Sequence, residues 1–148
     1  MIKKPEIVSH KLFKIIGQCG DSLNMQTFVI GGWVRDAILN RKSKNIEFDI
    51  VCDGDGIILA KKVAEKLKIK NINIYKNFGT AAISFKDIKL EFNGARKESY
   101  QTSSRNPKVT KGSIKDDQNR RDFTINAMSV RLNQNGFGEF IDPFNGLN

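Results

Sequence analysis

Residues 27–52 read TFVIGGWVRDAILNRKSKNIEFDIVC, and this stretch decides the fold class. TFVIGG (27–32) is a short β-branched run ending in two glycines, and WVRDAIL (33–39) continues at helical spacing. The reading is a strand, a tight glycine turn and a helix N-terminus. IEFDIVC (46–52) alternates apolar and acidic residues as a half-buried strand does, and DGDG (53–56) reads as the turn that ends it.

Working outward, IILAKKVAEKLKI (57–69) carries Ile58, Leu59, Val63 and Leu67 at helical spacing. INIYK (72–76), GTAAISF (79–85) and IKLEFNGA (88–95) read as three strands, with Lys86-Asp87 as a hairpin turn between the last two. Upstream, Ile7, Leu12, Ile15 and Ile16 predict an amphipathic helix over 5–20, stopped by Gly20. The resulting order is α, β, α, β, α, β, β, β. Residues 97–113 are polar and pattern-free and predict a mobile surface loop. Ser113 and Asp116 resemble a capping box opening a short helix through DDQNRR. Phe123 to Val130 reads as a further buried segment, and GFGEFIDPFNG ends the chain in turns.

The length of 148 residues fits one domain, and 39% hydrophobic with 28% charged residues is the composition of a folded chain. The net charge of +9 suits a polyanionic partner, although a solvated lysine-rich surface gives the same sum. Cys19 and Cys52 are too few for a disulfide framework and have no histidine close by for a zinc site, so they read as reduced thiols. No apolar run approaches the roughly 18 residues of a membrane span and the N-terminus lacks a cleavage signal, which leads to the expectation of a cytoplasmic protein without a membrane partner.

Side chains at i and i+2 of a strand share a face, so Glu47 and Asp49 stand side by side about 7 Å apart along the strand. Such a pair can hold one or two divalent cations whose oxygen shell is completed by substrate phosphates. Seen in isolation it is more often a solvated strand face. Gly31 and Gly32 let the backbone approach a phosphate at a helix N-terminus, Arg35 can grip the same group by a bidentate contact, and Asp36 can orient that arginine. A tight βα turn with a surface arginine is the alternative. Glu91 points opposite to Leu90 and Phe92, where it can serve as a third carboxylate or as an outward edge residue. Arg120, Arg121 and Asp122 suit phosphate or nucleotide recognition, or a charged helix end, and Asp122 can equally be an N-cap of the segment after it.

Taken together, GGWVRD (31–36), IEFDIV (46–51), NFGTA (77–81), EFNGARKESY (91–100), DDQNRRDFTINAM (116–128) and IDPFNG (141–146) resemble the ordered motif set of class II tRNA nucleotidyltransferases (CCA-adding enzymes) and the related bacterial poly(A) polymerases. The resemblance covers nearly everything from residue 27 onward. It implies an α+β fold of the polymerase-β nucleotidyltransferase type, a small mixed sheet flanked by helices. It also implies that the chain is a head domain over 1–148, with an N-terminal helix in 1–26 and the motifs in 27–148. Glu47 and Asp49 fall on the family's metal-binding pair, Glu91 on its third acid, and Gly31, Gly32, Arg35, Asp36, Arg121, Asp122 and Asn126 on its nucleotide-binding motifs.

The activity so implied is transfer of CMP or AMP from CTP or ATP to the 3′ end of tRNA with two Mg²⁺ ions. A poly(A) polymerase head and a non-catalytic nucleotide- or RNA-binding module are the rival expectations. One departure stands out: the family's pair is Asp-x-Asp, and Glu47 adds a methylene at the first position. The family's helical neck and its tRNA-holding body and tail are not in this sequence, so a second chain or a further C-terminal region is expected to supply them.

Overall fold

The computed structural model describes residues 3–40, 46–99, 108–111 and 128–142. Its described core is a seven-stranded sheet in the order β3-β4-β5-β2-β1-β8-β9. The strands are β1 (Thr27–Ile30), β2 (Ile46–Cys52), β3 (Asn73–Tyr75), β4 (Thr80–Phe85), β5 (Ile88–Gly94), β8 (Ser129–Arg131) and β9 (Phe140–Ile141). β2 and β5 run parallel, whereas the other neighbouring pairs are antiparallel, so the sheet is mixed as expected. Helices α1 (Lys11–Ser22), α2 (Gly32–Ile38) and α3 (Gly56–Leu67), with the 3₁₀ turns Pro5–Val8 and Lys76–Phe78, complete the described elements of the main body.

One face of the sheet carries the main core. Phe48 and Ile50 of β2, Leu90 and Phe92 of β5 and Ala81 and Ile83 of β4 are buried with Leu12, Phe13 and Ile16 of α1 and Leu59, Ala60 and Val63 of α3. Each large side chain buried there stabilises by about 1.5–3 kcal/mol. The Phe48 ring is the hub, 4.3 Å from Phe13 and 4.8 Å from Trp33 between centroids. Trp33 Nε1 donates to the Ile7 carbonyl at 2.9 Å, which ties α2 to the N-terminal 3₁₀ turn Pro5–Val8. On the opposite face Phe28, Ile30, Val51 and Ala95 form a smaller buried cluster beside the acidic residues.

The α, β, α, β, α, β, β, β order holds, with three corrections. The N-terminal helix starts at Lys11 and runs through Gly20 to Ser22. Gly20 is a packing residue: a Cβ there would lie 2.5 Å from Thr27 Cγ2, so its lack of a side chain serves close approach to β1, and the chain turns at Asn24, with φ of 56°. The stretch 97–113 is not simply a loop, because β6 (Arg96–Ser99) pairs antiparallel with β7 (Lys108–Lys111). Backbone pairing between polar segments leaves no hydrophobic alternation to read. The C-terminal turns, with Gly136 and Gly138 at positive φ, also contain the strand β9, which pairs with β8. Of the segment 123–130, Met128, Ser129 and Val130 are buried; the capping box at Ser113 and the DDQNRR helix lie outside the described residues.

Local chemistry starts the two long helices. Asp55, from the DGDG turn, caps α3 by accepting from the Ile57 and Ile58 amides at 2.8 and 3.4 Å. His10 caps α1, its Nδ1 accepting from the Leu12 amide at 3.1 Å while its ring lies edge-on to Phe48. Burial first, and then Lys11 and Lys86, hold the His10 imidazole below its ordinary value of about 6.5. The unfolded chain therefore takes up this proton more readily than the folded one. The cap's contribution is complete above pH of about 6.5 and declines as pH falls from there toward the lowered native value. Thermal melts should show a loss of stability over this window that His10→Asn, a competent cap without a titrating ring, removes; identical pH slopes for both proteins would contradict the assignment.

Candidate active site

The alternation of β2 places Phe48 and Ile50 in the core and Glu47 and Asp49 on the other face. β5 repeats the pattern, with Leu90 and Phe92 inward and Lys89, Glu91 and Asn93 opposite. The parallel register pairs Asp49 with Glu91 and Glu47 with Lys89. Neighbouring strands lie about 4.8 Å apart, so Asp49 and Glu91 project side by side from adjacent strands, with Glu47 one step along β2.

The environments of the three acids differ. Asp49 is half-buried and rests against the end of β1, its Oδ2 only 2.7 Å from where a Cβ on Gly31 would stand. Glu91 Oε1 accepts from Asn93 Nδ2 at 3.4 Å, and Asn93 Oδ1 accepts the Thr80 hydroxyl at 2.7 Å. Glu47 is exposed and pairs with Lys89 at 3.6 Å. An exposed pair of this kind is worth about 0–1 kcal/mol, too little to keep Glu47 from a stronger cation. Among the described residues no three His, Cys, Asp or Glu side chains gather as a ready cation cage. The backbone sets the acids side by side, while Lys89 and Asn93 hold two of the carboxylates.

The glycine turn lies beside Asp49, since Ile30, the last residue of β1, is in register with it. Gly31 caps α2 with φ of 78° and ψ of −144°, a conformation essentially restricted to glycine. Conformation and proximity to Asp49 thus both demand glycine here. Arg35 folds back toward the front of α2, with Nη2 3.4 Å from the Cβ position of Gly32, and its Nε donates to Asp36 Oδ1 at 3.3 Å. Asp36 thus stands within reach of Arg35, the residue it was expected to orient. Arg120, Arg121, Asp122 and Asn126 lie outside the described residues.

Lys89 and Asn93, which contact the acids, and Thr80, which bonds to Asn93, escaped the sequence reading. The signal was present: Lys89 and Asn93 stand two residues either side of Glu91, which puts all three on one strand face.

A mixed sheet with adjacent acids at its centre and a glycine turn leading into a helix is the arrangement that the resemblance to nucleotidyltransferase heads implied. A sequence model of the poly A polymerase head domain matches residues 27–148. The chain is 39% identical over 134 residues to an A-adding tRNA nucleotidyltransferase of Geobacter sulfurreducens, covering 90% of this chain and 15% of that protein. It is 40% identical over 123 residues to the Aquifex aeolicus enzyme of the same description, covering 83% and 15%. A solved tRNA nucleotidyltransferase complexed with a primer tRNA and an incoming ATP analogue superposes with a TM-score of 0.76 at 36% identity, over 89% of this chain and 35% of that one. The chain belongs to the poly A polymerase head domain family, and it spans about 15% of the length of the two relatives just named.

Gly31→Ala tests the local geometry. The alanine must adopt a conformation costing about 1–3 kcal/mol and also displace Asp49. Urea unfolding should show a stability loss of at least that size; a change below about 0.5 kcal/mol, the level of an ordinary surface substitution, would contradict the constraint.

Proposed function

We propose that this chain is the head of an RNA nucleotidyltransferase that transfers AMP or CMP from ATP or CTP to the 3′ end of tRNA. The observation that carries the reading is the register of Asp49 with Glu91 on adjacent strands beside the Gly31 turn. In the reaction the RNA 3′ oxygen bonds to the α-phosphorus, the bond from that phosphorus to the bridging oxygen breaks, and pyrophosphate leaves. The hydroxyl proton passes to solvent.

Glu47, Asp49 and Glu91 offer hard carboxylate oxygens on one face, the donor type that Mg²⁺ takes. When bound, Mg²⁺ supplies charge neutralisation at the triphosphate and acidification of the attacking hydroxyl. Asn93 and Thr80 orient Glu91, and Gly31 leaves space for Asp49. Arg35, steered by Asp36, is assigned to the triphosphate beside the α2 N-terminus. By the family resemblance Arg121, Asp122 and Asn126 complete the nucleotide contacts. Selection between the two bases, and the grip on the body of the tRNA, are assigned to regions that the longer relatives carry outside this head.

The relatives, described as tRNA nucleotidyltransferases, support this reading over a non-catalytic binding module. The longer arm of Glu47 is accommodated by its exposed position, where the side chain can change rotamer without disturbing the core.

The test is incorporation of labelled ATP and CTP into tRNA transcripts lacking all or part of the CCA end, with Mg²⁺. Asp49→Ala should lower turnover by about a thousandfold, equivalent to about 4 kcal/mol in the barrier, whereas Glu47→Asp should maintain or raise it. Retention of activity within about tenfold by Asp49→Ala would overturn the assignment. A fall of about tenfold in Glu47→Asp would mean that the backbone is adapted to Glu.

A further inference from the structure

Among the described residues, Tyr75 and Phe78 are the most exposed of the large apolar side chains, at 52% and 57%. They stand at and just beyond β3, the edge strand of the sheet, and border a cleft of about 320 Å³. The floor of this cleft is made by small residues of β4, Thr80 and Ala82, and Glu91 lies within it. One cleft thus joins an aromatic rim to the acid at the centre of the site.

Its position in the sheet fixes which reactant it faces. Passing from β3 through β4, β5 and β2 to β1, one meets the aromatic rim, then Glu91, then Asp49, then the Gly31 turn with Arg35. A triphosphate held at the Gly31 and Arg35 end is attacked in line, with entering and leaving oxygens on opposite sides of the phosphorus. The acceptor therefore approaches from the β3 and β4 side.

The chemistry of the cleft suits the unpaired end of an RNA strand. Exposed aromatic rings stack on any base, small floor residues admit a planar ring, and lysines take the neighbouring phosphates. Lys89 lines the cleft, and Lys76 lies between the two aromatics in sequence. Because the Lys89 pair with Glu47 is exposed and weak, phosphate can displace it. The net charge of +9 complements the strand.

We propose that Tyr75 and Phe78 form a stacking platform for the terminal unpaired nucleotide of the acceptor RNA, with its 3′ hydroxyl directed toward Glu91. This rests on the reaction proposed above, and the test separates the two. The probe is a hairpin RNA with a short single-stranded 3′ overhang ending in 2-aminopurine, whose fluorescence falls when it stacks; a blunt-ended version is the control.

The full chain should quench the overhang probe and leave the blunt one bright. Phe78→Leu and Tyr75→Leu, combined, should lose most of the quench and bind the overhang roughly five- to a hundredfold more weakly, the range that base–aromatic stacking spans. Phe78→Trp should restore the quench. Both positions are exposed, so circular dichroism of the variants should match that of the parent. Unchanged quench and affinity in the double variant would overturn the platform, and so would equal quenching of the blunt probe. Aromatic-dependent quenching by a chain that transfers no nucleotide would support the platform and overturn the reaction.

Discussion

The parallel pairing of β2 with β5 is the constraint on which the rest depends. On one face it packs Phe48 and Ile50 beside Leu90 and Phe92, all four fully buried against α1 and α3. On the other it aligns Asp49 with Glu91. A slip of one residue in either strand would turn these acids into the core and expose aromatic and branched side chains. Burying even one unpaired carboxylate costs several kcal/mol, so the register that builds the core is also the register that builds the site.

The site adds its own constraint at the end of β1. Gly31 adopts a backbone conformation open to glycine alone, so that the chain can turn from strand to helix while Asp49 sits against it. Neighbours fix both sides of the turn: Val29 and Ile30 in the sheet, and Val34 in the main core from α2. Trp33, wedged against Phe13 and Phe48 and hydrogen-bonded to Ile7, anchors the same helix from its other side. The ordered N-terminal region therefore supports the glycine turn from a distance.

Much of this was legible because it rests on local periodicity. The acidic alternation in 46–52, the Gly-Gly break and the two-residue Lys86-Asp87 turn are each written in a few adjacent residues, and the structure pairs Phe85 with Ile88 across that turn. Which strands become neighbours was not written locally. The placement of β5 beside β2 rather than beside β1, and the addition of β8 to the far side of β1, arise from long-range packing. Gly20 was misread because a glycine used for close approach and one used to end a helix are the same letter. Asn133, which binds the Thr27 amide, the Met25 carbonyl and Asp21 to fix the C-terminal end of the sheet against α1, carries no motif at all. The hairpin of β6 and β7 was missed because its pairing is written in backbone groups. In the site, the acids were visible as a pattern and Asn93 shares the strand face of Glu91 in the sequence itself, whereas the pairing of Lys89 with Glu47 became visible only through the register of β5 with β2.

The central claim is that Asp49, with a neighbouring acid of β2 or β5, holds the cation that accompanies the nucleotide. Its most direct measurement is anomalous scattering from Mn²⁺ in crystals grown with a non-hydrolysable ATP analogue. The expected result is a metal peak within bonding distance of oxygens of Asp49 and a second acid of this face, Glu47 or Glu91, with phosphate oxygens completing the shell. Nucleotide bound with its metal ligated elsewhere, and Asp49 and Glu91 both left out of the coordination sphere, would contradict it.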